Sequence, residues 1–309
     1  MVPFFLPSFH SFGLTVTGLL PLLAGLRVVY HPDPTAARPL AHKIEAYRPT
    51  LLGAAPTFLS AILDRARPEQ LRSLRLLFVG AEKCPQDLDE TCRRTVPGAS
   101  LLEGYGLTEC GPAVAVNRPA AQRFGTVGQP LPGVEVCIVG LDSEEVLPVN
   151  HTGELWVSSP AVFPGYLAQD ETLPFRQRQG KRWYVTGDLA DMDADGFLRI
   201  RGRKKRFLKA GAEMISLPAL EEPFTRRFPA TEKGPRVAVE GLETKGGRHI
   251  VLFCTEPITL REANRYLLDD GFRGVMRLDE VRPVRAIPVL GAGKTDYKAL
   301  QALVAAVAE

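Results

Sequence analysis

The sequence is poor in the features that would assign a function at once. Its five cysteines (Cys84, Cys92, Cys110, Cys137, Cys254) are an odd number with no Cys-x-x-Cys pairing. That argues against a disulfide framework or a thiolate metal site and fits scattered, buried thiols in a reducing compartment. A formal charge of only +3 is too small to make nucleic acid or a membrane the main partner. No internal repeat or low-complexity segment is visible. The longest apolar stretch, Phe12 to Val29, has no basic segment before it and is broken by Pro21. It falls short of the roughly 20 apolar residues a helix needs to cross a bilayer, and is expected instead to be a core helix running into a strand at Leu26–Tyr30. A cytoplasmic protein without a transmembrane segment is the expectation.

What is present is enough chain, 309 residues, for about two domains with real cores. Up to about residue 115, strand-like runs alternate with helical patterns: a helix at Pro34–Tyr47, a strand at Thr50–Gly53, a helix at Pro56–Ala66, a strand at Leu74–Val79 and a helix from Pro85. Such alternation predicts a parallel, doubly wound sheet, whose ligands sit at the carboxyl ends of strands. Gly80-Ala-Glu-Lys-Cys84 and Gly104-Tyr-Gly-Leu-Thr-Glu109 occupy that position. From about Gly125 to Ile200, short β-like runs separated by Pro, Gly and Asp predict an antiparallel, barrel-like region. Past Arg203 the pattern turns to a small α+β domain ending in a helix at Asp296–Ala308.

Gly104-Tyr-Gly-Leu-Thr-Glu109 is the densest chemical signal. Two glycines allow close backbone approach to a phosphorylated ligand. Tyr105 could stack on a purine, Thr108 offers a hydroxyl to phosphate, and Glu109 a hard oxygen to Mg²⁺. By itself the segment is equally a tight turn running into a helix cap. Asp188, in Tyr184-Val-Thr-Gly-Asp-Leu189, stands just past a strand where a carboxylate can accept from a ribose diol, although an Asx-type turn has the same composition.

Other patterns fail on their spacing. Asp191-Met-Asp-Ala-Asp-Gly196 would need an acid at Gly202 to be a calcium loop, and reads better as a hairpin turn. Gly291-Ala-Gly-Lys-Thr295 would need a glycine at Pro288 to be a P-loop. What remains there is Lys294, an ammonium on a glycine loop, able to reach a phosphate. Phe9 stands where a nucleophile elbow at Ser11 would need glycine. The basic run Arg199 to Lys209 alternates with apolar residues and predicts a solvated strand face rather than a nucleic-acid patch.

Taken in order, these segments resemble the adenylate-forming superfamily of acyl-CoA synthetases, peptide-synthetase adenylation domains and luciferases, over essentially the whole chain. A closer likeness is to the acyl–acyl carrier protein synthetase part of 2-acylglycerophosphoethanolamine acyltransferases. It rests on Phe9-His-Ser-Phe-Gly-Leu14, Val29-Tyr-His-Pro-Asp-Pro34, Gly80-Ala-Glu-Lys83, Gly202-Arg-Lys-Lys-Arg-Phe207 and Glu213-Met-Ile-Ser-Leu217. The implied α/β fold is an incomplete large adenylation domain over residues 1–202, followed by a small α+β lid over 203–309. The large part would comprise a doubly wound sheet (1–118) and a β-barrel-like subdomain (119–202).

The resemblance also implies roles. His10 would border the acyl carboxylate, and Gly80, Ala81 and Glu82 with Gly104, Tyr105 and Gly106 would hold the nucleotide. Thr108 would meet phosphate, Glu109 would bind Mg²⁺, and Asp188 and Arg203 would grip the ribose. Lys205 stands at the hinge and Lys294 at the catalytic lysine. The implied chemistry joins a carboxylic acid, a fatty acid by the closer likeness, to AMP from ATP, then passes the acyl group to a thiol of acyl carrier protein or coenzyme A. The closer likeness also allows a peripheral position at the inner membrane.

The departures matter as much. The family's Ser/Thr/Gly-rich phosphate loop is nowhere in the sequence, so Met1 reads as an internal start or a split or truncated gene. A partner chain supplying the N-terminal half is then expected, with strands left open in its absence. Ala212 replaces a glycine common near the thiol's path. The alternative is a non-catalytic nucleotide- or acyl-binding remnant.

Overall fold

The computed structural model describes residues 1–141, 143–167, 174–210, 213–231, 234–244, 247–290 and 295–308. They fall into two compact units, Met1–Arg201 and Gly202–Glu309.

In the first unit, β1 (Val2–Phe4) and β2 (Val28–Tyr30) pair in parallel. A π-helical stretch, Phe12–Leu19, and α1 (Leu20–Leu23) lie between them in sequence. This stretch is not the buried core helix its composition predicts. Small or compact residues, Gly13, Thr17, Gly18 and Pro21, are the buried ones, and the leucines turn outward, with Leu23 85% exposed. Next come α2 (Ala37–Tyr47), β3 (Leu51–Ala54), α3 (Pro56–Arg65), α4 (Pro68–Leu71), β4 (Leu76–Val79), α5 (Gln86–Thr95) and β5 (Ser100–Gly106).

The sequence accounts for these elements locally. In α2, buried Ala37, Leu40, Ala41 and Ile44 recur at helical spacing and form one apolar face. Pro56 and Pro68 occupy helix starts, where a missing N–H costs nothing. Strands β3, β4 and β5 are parallel neighbours. Leu52, Leu77, Val79 and Leu101 share a core with Leu40, Ile44, Leu59, Ile62, Leu88 and Cys92 from the helices. This alternation is the α/β pattern expected of the sequence.

Beyond β5 the sheet turns antiparallel through β6 (Ala113–Val116) and β7 (Gln129–Pro130). A second sheet is antiparallel: β8 (Glu135–Val139), β9 (Gly153–Ser158), β10 (Phe175–Arg178) and β11 (Lys181–Met192), in the order β10-β11-β9-β8. β12 (Leu198–Arg203) pairs with β11 beside this path. Asp193 to Gly196 form the turn before β12, with Arg123 bridging Asp193 (2.8 Å) and Asp195 (2.5 Å).

In the second unit, β13 (Phe207–Ala210) and β14 (Glu213–Ser216) form a hairpin that leads into α6 (Leu217–Arg227). β15 (Val237–Thr244) and β16 (Gly247–Cys254) are antiparallel, and β17 (Glu280–Pro283) joins β16 in parallel. Period-2 alternation puts Val237 and Val239 on one face, against Leu220 and Phe224 of α6 and Ala263 and Leu267 of α7 (Leu260–Asp269). Ala238, Val251 and Phe253 take the other face, against Leu300 and Val304 of α8 (Tyr297–Ala308). Among the described residues, no helix is long and apolar enough to cross a membrane.

The basic run is the expected solvated face in part, with Arg201, Arg203, Lys205 and Lys209 exposed, but it is also tied to buried acids. Arg199 and Arg201 both bond Asp191, which is 1% exposed. Arg206 is largely buried between Glu221 (3.0 Å) and Glu240 (3.8 Å), with its guanidinium 3.5 Å from the centre of the Tyr297 ring. A period-2 pattern reports which side chains share a face, but not that a buried carboxylate lies beneath it. Arg206→Ala would strand two acidic side chains, a loss of about 3–5 kcal/mol for a broken buried pair. Both tryptophans, Trp156 and Trp183, belong to the first unit. Denaturant unfolding of this variant is therefore expected to shift the far-UV circular dichroism transition and leave the tryptophan fluorescence transition in place.

Candidate functional site

The carboxyl ends of β4 and β5 are held together by glycine. A side chain on Gly80 would begin 3.1 Å from the Gly104 carbonyl oxygen, and one on Gly104 would begin 3.2 Å from the Ala115 carbonyl. Gly106 is more constrained still, since a Cβ there would fall 1.8 Å from the Pro112 oxygen. Ala81 follows Gly80 with φ of +70°, a left-handed conformation that costs a non-glycine residue on the order of 1 kcal/mol. Its neighbour Glu82 braces the loop against the start of α3, accepting from Thr57 N (3.2 Å) and Thr57 Oγ1 (2.6 Å).

Three contacts draw the remaining residues together. Ser11 and Thr108 share a hydroxyl hydrogen bond of 3.0 Å, which brings the His10–Ser11 segment beside the turn Thr108–Cys110. The Tyr105 hydroxyl donates to Asp188 Oδ2 from across the unit. Asp188 owes its position to a register shift in β11 between Val185 and Leu189, where Gly187 has φ of +71°. Such irregularities re-aim a side chain. Thr186 locks this one, donating to Leu155 O (2.7 Å) and accepting from Asp188 N (3.0 Å). Finally, Glu109 Oε1 accepts from the Tyr166 hydroxyl at 2.8 Å.

The first unit thus gathers His10, Gly80, Ala81, Glu82, Gly104, Tyr105, Gly106, Thr108, Glu109 and Asp188. Arg203, the last residue of β12, and Lys205, on the 3-10 turn Lys204–Arg206, belong to the second unit. Lys294 and Ala212 lie outside the described residues. The donor set suits a divalent cation that arrives with phosphate. Glu109 offers one hard oxygen, and Mg²⁺ commonly binds through one or two carboxylates plus substrate phosphates. Burial pushes the nearby Cys110 thiol up to about 12, so it is no thiolate nucleophile at neutral pH.

Sequence reasoning missed Glu103. It is an acid in the otherwise apolar start of β5, in register with Val79. One carboxylate oxygen accepts from Cys84 N at 3.5 Å, and Oε2 is buried without a hydrogen-bond partner. Burial, partly opposed by the Cys84 N–H and the Lys83 charge, raises its carboxyl from an ordinary 4.5 to about 7. The available signal was its place, immediately before the first glycine of the Gly104–Glu109 segment.

A raised carboxyl means that the folded chain holds a proton the unfolded chain has already released. The stability from this group is full below about pH 4.5 and is lost as pH rises through 7. Glu103→Gln should remove that dependence. The variant is expected to be more stable than the wild type by about 1–3 kcal/mol at pH 8, and to lose the advantage below pH 5. Urea unfolding across that range measures it.

Comparison with known proteins speaks to family and fold. A family model described as AMP-binding enzyme matches residues 2–167. The 4-coumarate–CoA ligase-like 4 protein of Oryza sativa subsp. japonica is 35% identical over 220 residues, covering 70% of this chain and 39% of that protein. A long-chain-fatty-acid–CoA ligase of Yersinia pestis is also 35% identical over 220 residues, covering 70% and 38%. Among solved structures, O-succinylbenzoate coenzyme A synthetase of Bacillus subtilis, in complex with ATP and magnesium ion, superposes with a TM-score of 0.82 at 25% identity. That match covers 97% of this chain and 61% of the other. ATP-bound MatB from Rhodopseudomonas palustris gives a TM-score of 0.83 at 23% identity, over 100% and 61%. The chain therefore spans about two fifths of the length of these curated relatives.

Proposed function

The chain belongs to the AMP-binding enzyme family, and we propose that it is the nucleotide-holding part of an ATP-dependent ligase that activates a carboxylic acid as its acyl-AMP. The observation that carries this reading is the convergence of Gly80, Gly104, Tyr105, Thr108, Glu109 and Asp188 at one end of the first unit, through the Ser11–Thr108 and Tyr105–Asp188 contacts. The names of its relatives, several of them CoA ligases, support it.

In the proposed reaction a carboxylate oxygen attacks the α-phosphorus of ATP. The new C–O–P linkage forms as the bond to pyrophosphate breaks. The catalysis required is positioning and charge neutralisation. Backbone at Gly80, Ala81 and Gly104 approaches the base, while the buried Glu103 oxygen accepts from an exocyclic amine. Glu82 keeps that loop in place through Thr57. Asp188, fixed by Tyr105, takes the ribose hydroxyls with Arg203. Thr108 donates to phosphate. Mg²⁺ held by Glu109 would neutralise phosphate charge. His10 borders the acid, Lys205 is the hinge, and Lys294, on the smaller unit acting as a lid, supplies the ammonium that stabilises the transition state. The phosphate loop that the resemblance implies would come from polypeptide outside these 309 residues, in the same chain or another.

The acid is a fatty acid in this proposal, and the acceptor is the thiol of coenzyme A or of acyl carrier protein. Relatives named as long-chain-fatty-acid–CoA ligases support the first choice.

The decisive experiment is pyrophosphate–ATP exchange by the purified chain with Mg²⁺ and a panel of fatty acids. Nucleotide binding is the expected result in every case, and acid-dependent exchange would show that these residues form acyl-AMP unaided. Nucleotide binding without exchange would point to a binding remnant or to the need for a second segment, and a folded chain that binds no nucleotide would overturn the proposal. Where exchange occurs, Lys294→Ala should lower acyl-AMP formation by about 10²–10³-fold and leave the ATP dissociation constant within about twofold of wild type. Equal loss of both would make Lys294 a structural residue.

A further inference from the structure

Glu109 is held more tightly than a bare metal ligand at a turn would be. The segment Phe163 to Tyr166 is fastened to it twice. Phe163 N donates to the Glu109 carbonyl at 2.9 Å, and the Tyr166 hydroxyl donates to Glu109 Oε1 at 2.8 Å. The Tyr166 ring cannot swing freely, because it packs edge-on against Phe163, with ring centres 4.7 Å apart and planes at 66°. Phe163 in turn packs edge-on against Tyr184, at 5.7 Å and 86°. Tyr184 is itself buried in β11. The Tyr166 hydroxyl is thus held in place by packed rings and engages one carboxylate oxygen of Glu109.

The other oxygen is in a different state. Among the described residues, Glu109 Oε2 accepts no hydrogen bond. A carboxylate with one oxygen engaged and one open offers a cation a single oxygen. That suits Mg²⁺, which is small and demands octahedral geometry, better than Ca²⁺, which accepts bidentate carboxylates in a looser shell. Resting on the functional reading above, we propose that Tyr166 is a positioning residue that commits Glu109 to one-oxygen metal binding. Tyr166 need not touch metal or nucleotide. Its effect is on which carboxylate oxygen is presented and on how little the carboxylate rotates.

The test measures metal binding directly. Mn²⁺, standing in for Mg²⁺, is titrated into the full chain with a non-hydrolysable ATP analogue and followed by electron paramagnetic resonance, while nucleotide affinity in EDTA is measured by calorimetry. Tyr166→Phe keeps the ring and deletes only the hydroxyl. It is expected to weaken Mn²⁺ binding by about 10-fold, the low end for removing a partner that orients a metal ligand, with metal-free nucleotide affinity within about twofold. Ca²⁺ should compete with Mn²⁺ better in this variant than in the wild type.

Unchanged Mn²⁺ affinity in Tyr166→Phe would overturn the inference, as would an equal loss of metal-free nucleotide affinity, which would make the tyrosine a general brace for the turn. Tyr166→Phe is expected to fold, since Tyr166 is 43% exposed and its hydroxyl is not part of a core. A wild-type chain that binds no nucleotide would instead overturn the functional reading, and this inference with it.

Discussion

Everything at the candidate site depends on two strand ends approaching more closely than side chains permit. The Gly104 carbonyl crowds the place where a side chain of Gly80 would begin, and the Pro112 carbonyl blocks any side chain at Gly106. Because these contacts are backbone to backbone, no rotamer change can relieve them, and a substitution must move a strand. The same closeness sets Tyr105 to meet Asp188 and Thr108 to meet Ser11. A phosphorylated ligand is bound well by such surfaces, since exposed backbone N–H groups and short hydroxyls can approach it directly.

Burial of charge is the second constraint, and buried acids meet it in two ways. Some are matched: Asp191 meets Arg199 and Arg201, and Glu221 meets Arg206, the Val239 N–H and the Tyr297 hydroxyl. Glu103 is buried with one oxygen unmatched, and its carboxyl rises to about 7 as a result. A matched buried carboxylate holds a fold in register, whereas an unmatched one costs stability at neutral pH unless a ligand donates to it. That difference separates a matched brace from a carboxyl that a donor could still engage.

Much of the fold was legible because its signals are local. The apolar spacing in Ala37–Tyr47, the proline at Pro56 and the alternation in Val237–Thr244 each name their element, and the observed bounds differ from the expected ones by a few residues. The glycine-rich segments were legible for a similar reason, since two glycines at a strand end have few other uses. Three things were not. The leucines of Phe12–Leu23 face outward because composition says how apolar a helix is, not which residues find a partner. Arg206 reads as one cation in a basic run, and only the folded chain puts acids on either side of it. Tyr166 carries no motif of its own, and its bond to Glu109 joins residues 57 apart in sequence.

These failures have a common physical origin. Sequence patterns encode what a residue does for its own element, and the site is assembled from what residues do between elements. Glu109 illustrates the difference. Its type and its place after Gly104-Tyr-Gly say that a hard oxygen is available near a phosphate-sized space. Which oxygen is offered, and how rigidly, depends on a tyrosine hydroxyl from the segment after β9 and on the Phe163 ring packed against it. A carboxylate free to rotate would bind several cations in several ways. One pinned at a single oxygen is selective before any ligand arrives, because the geometry a hard cation requires is already present in the protein. On the proposed reading, the metal preference of the site would be a property of the packing around Phe163 as much as of the acid that makes the bond.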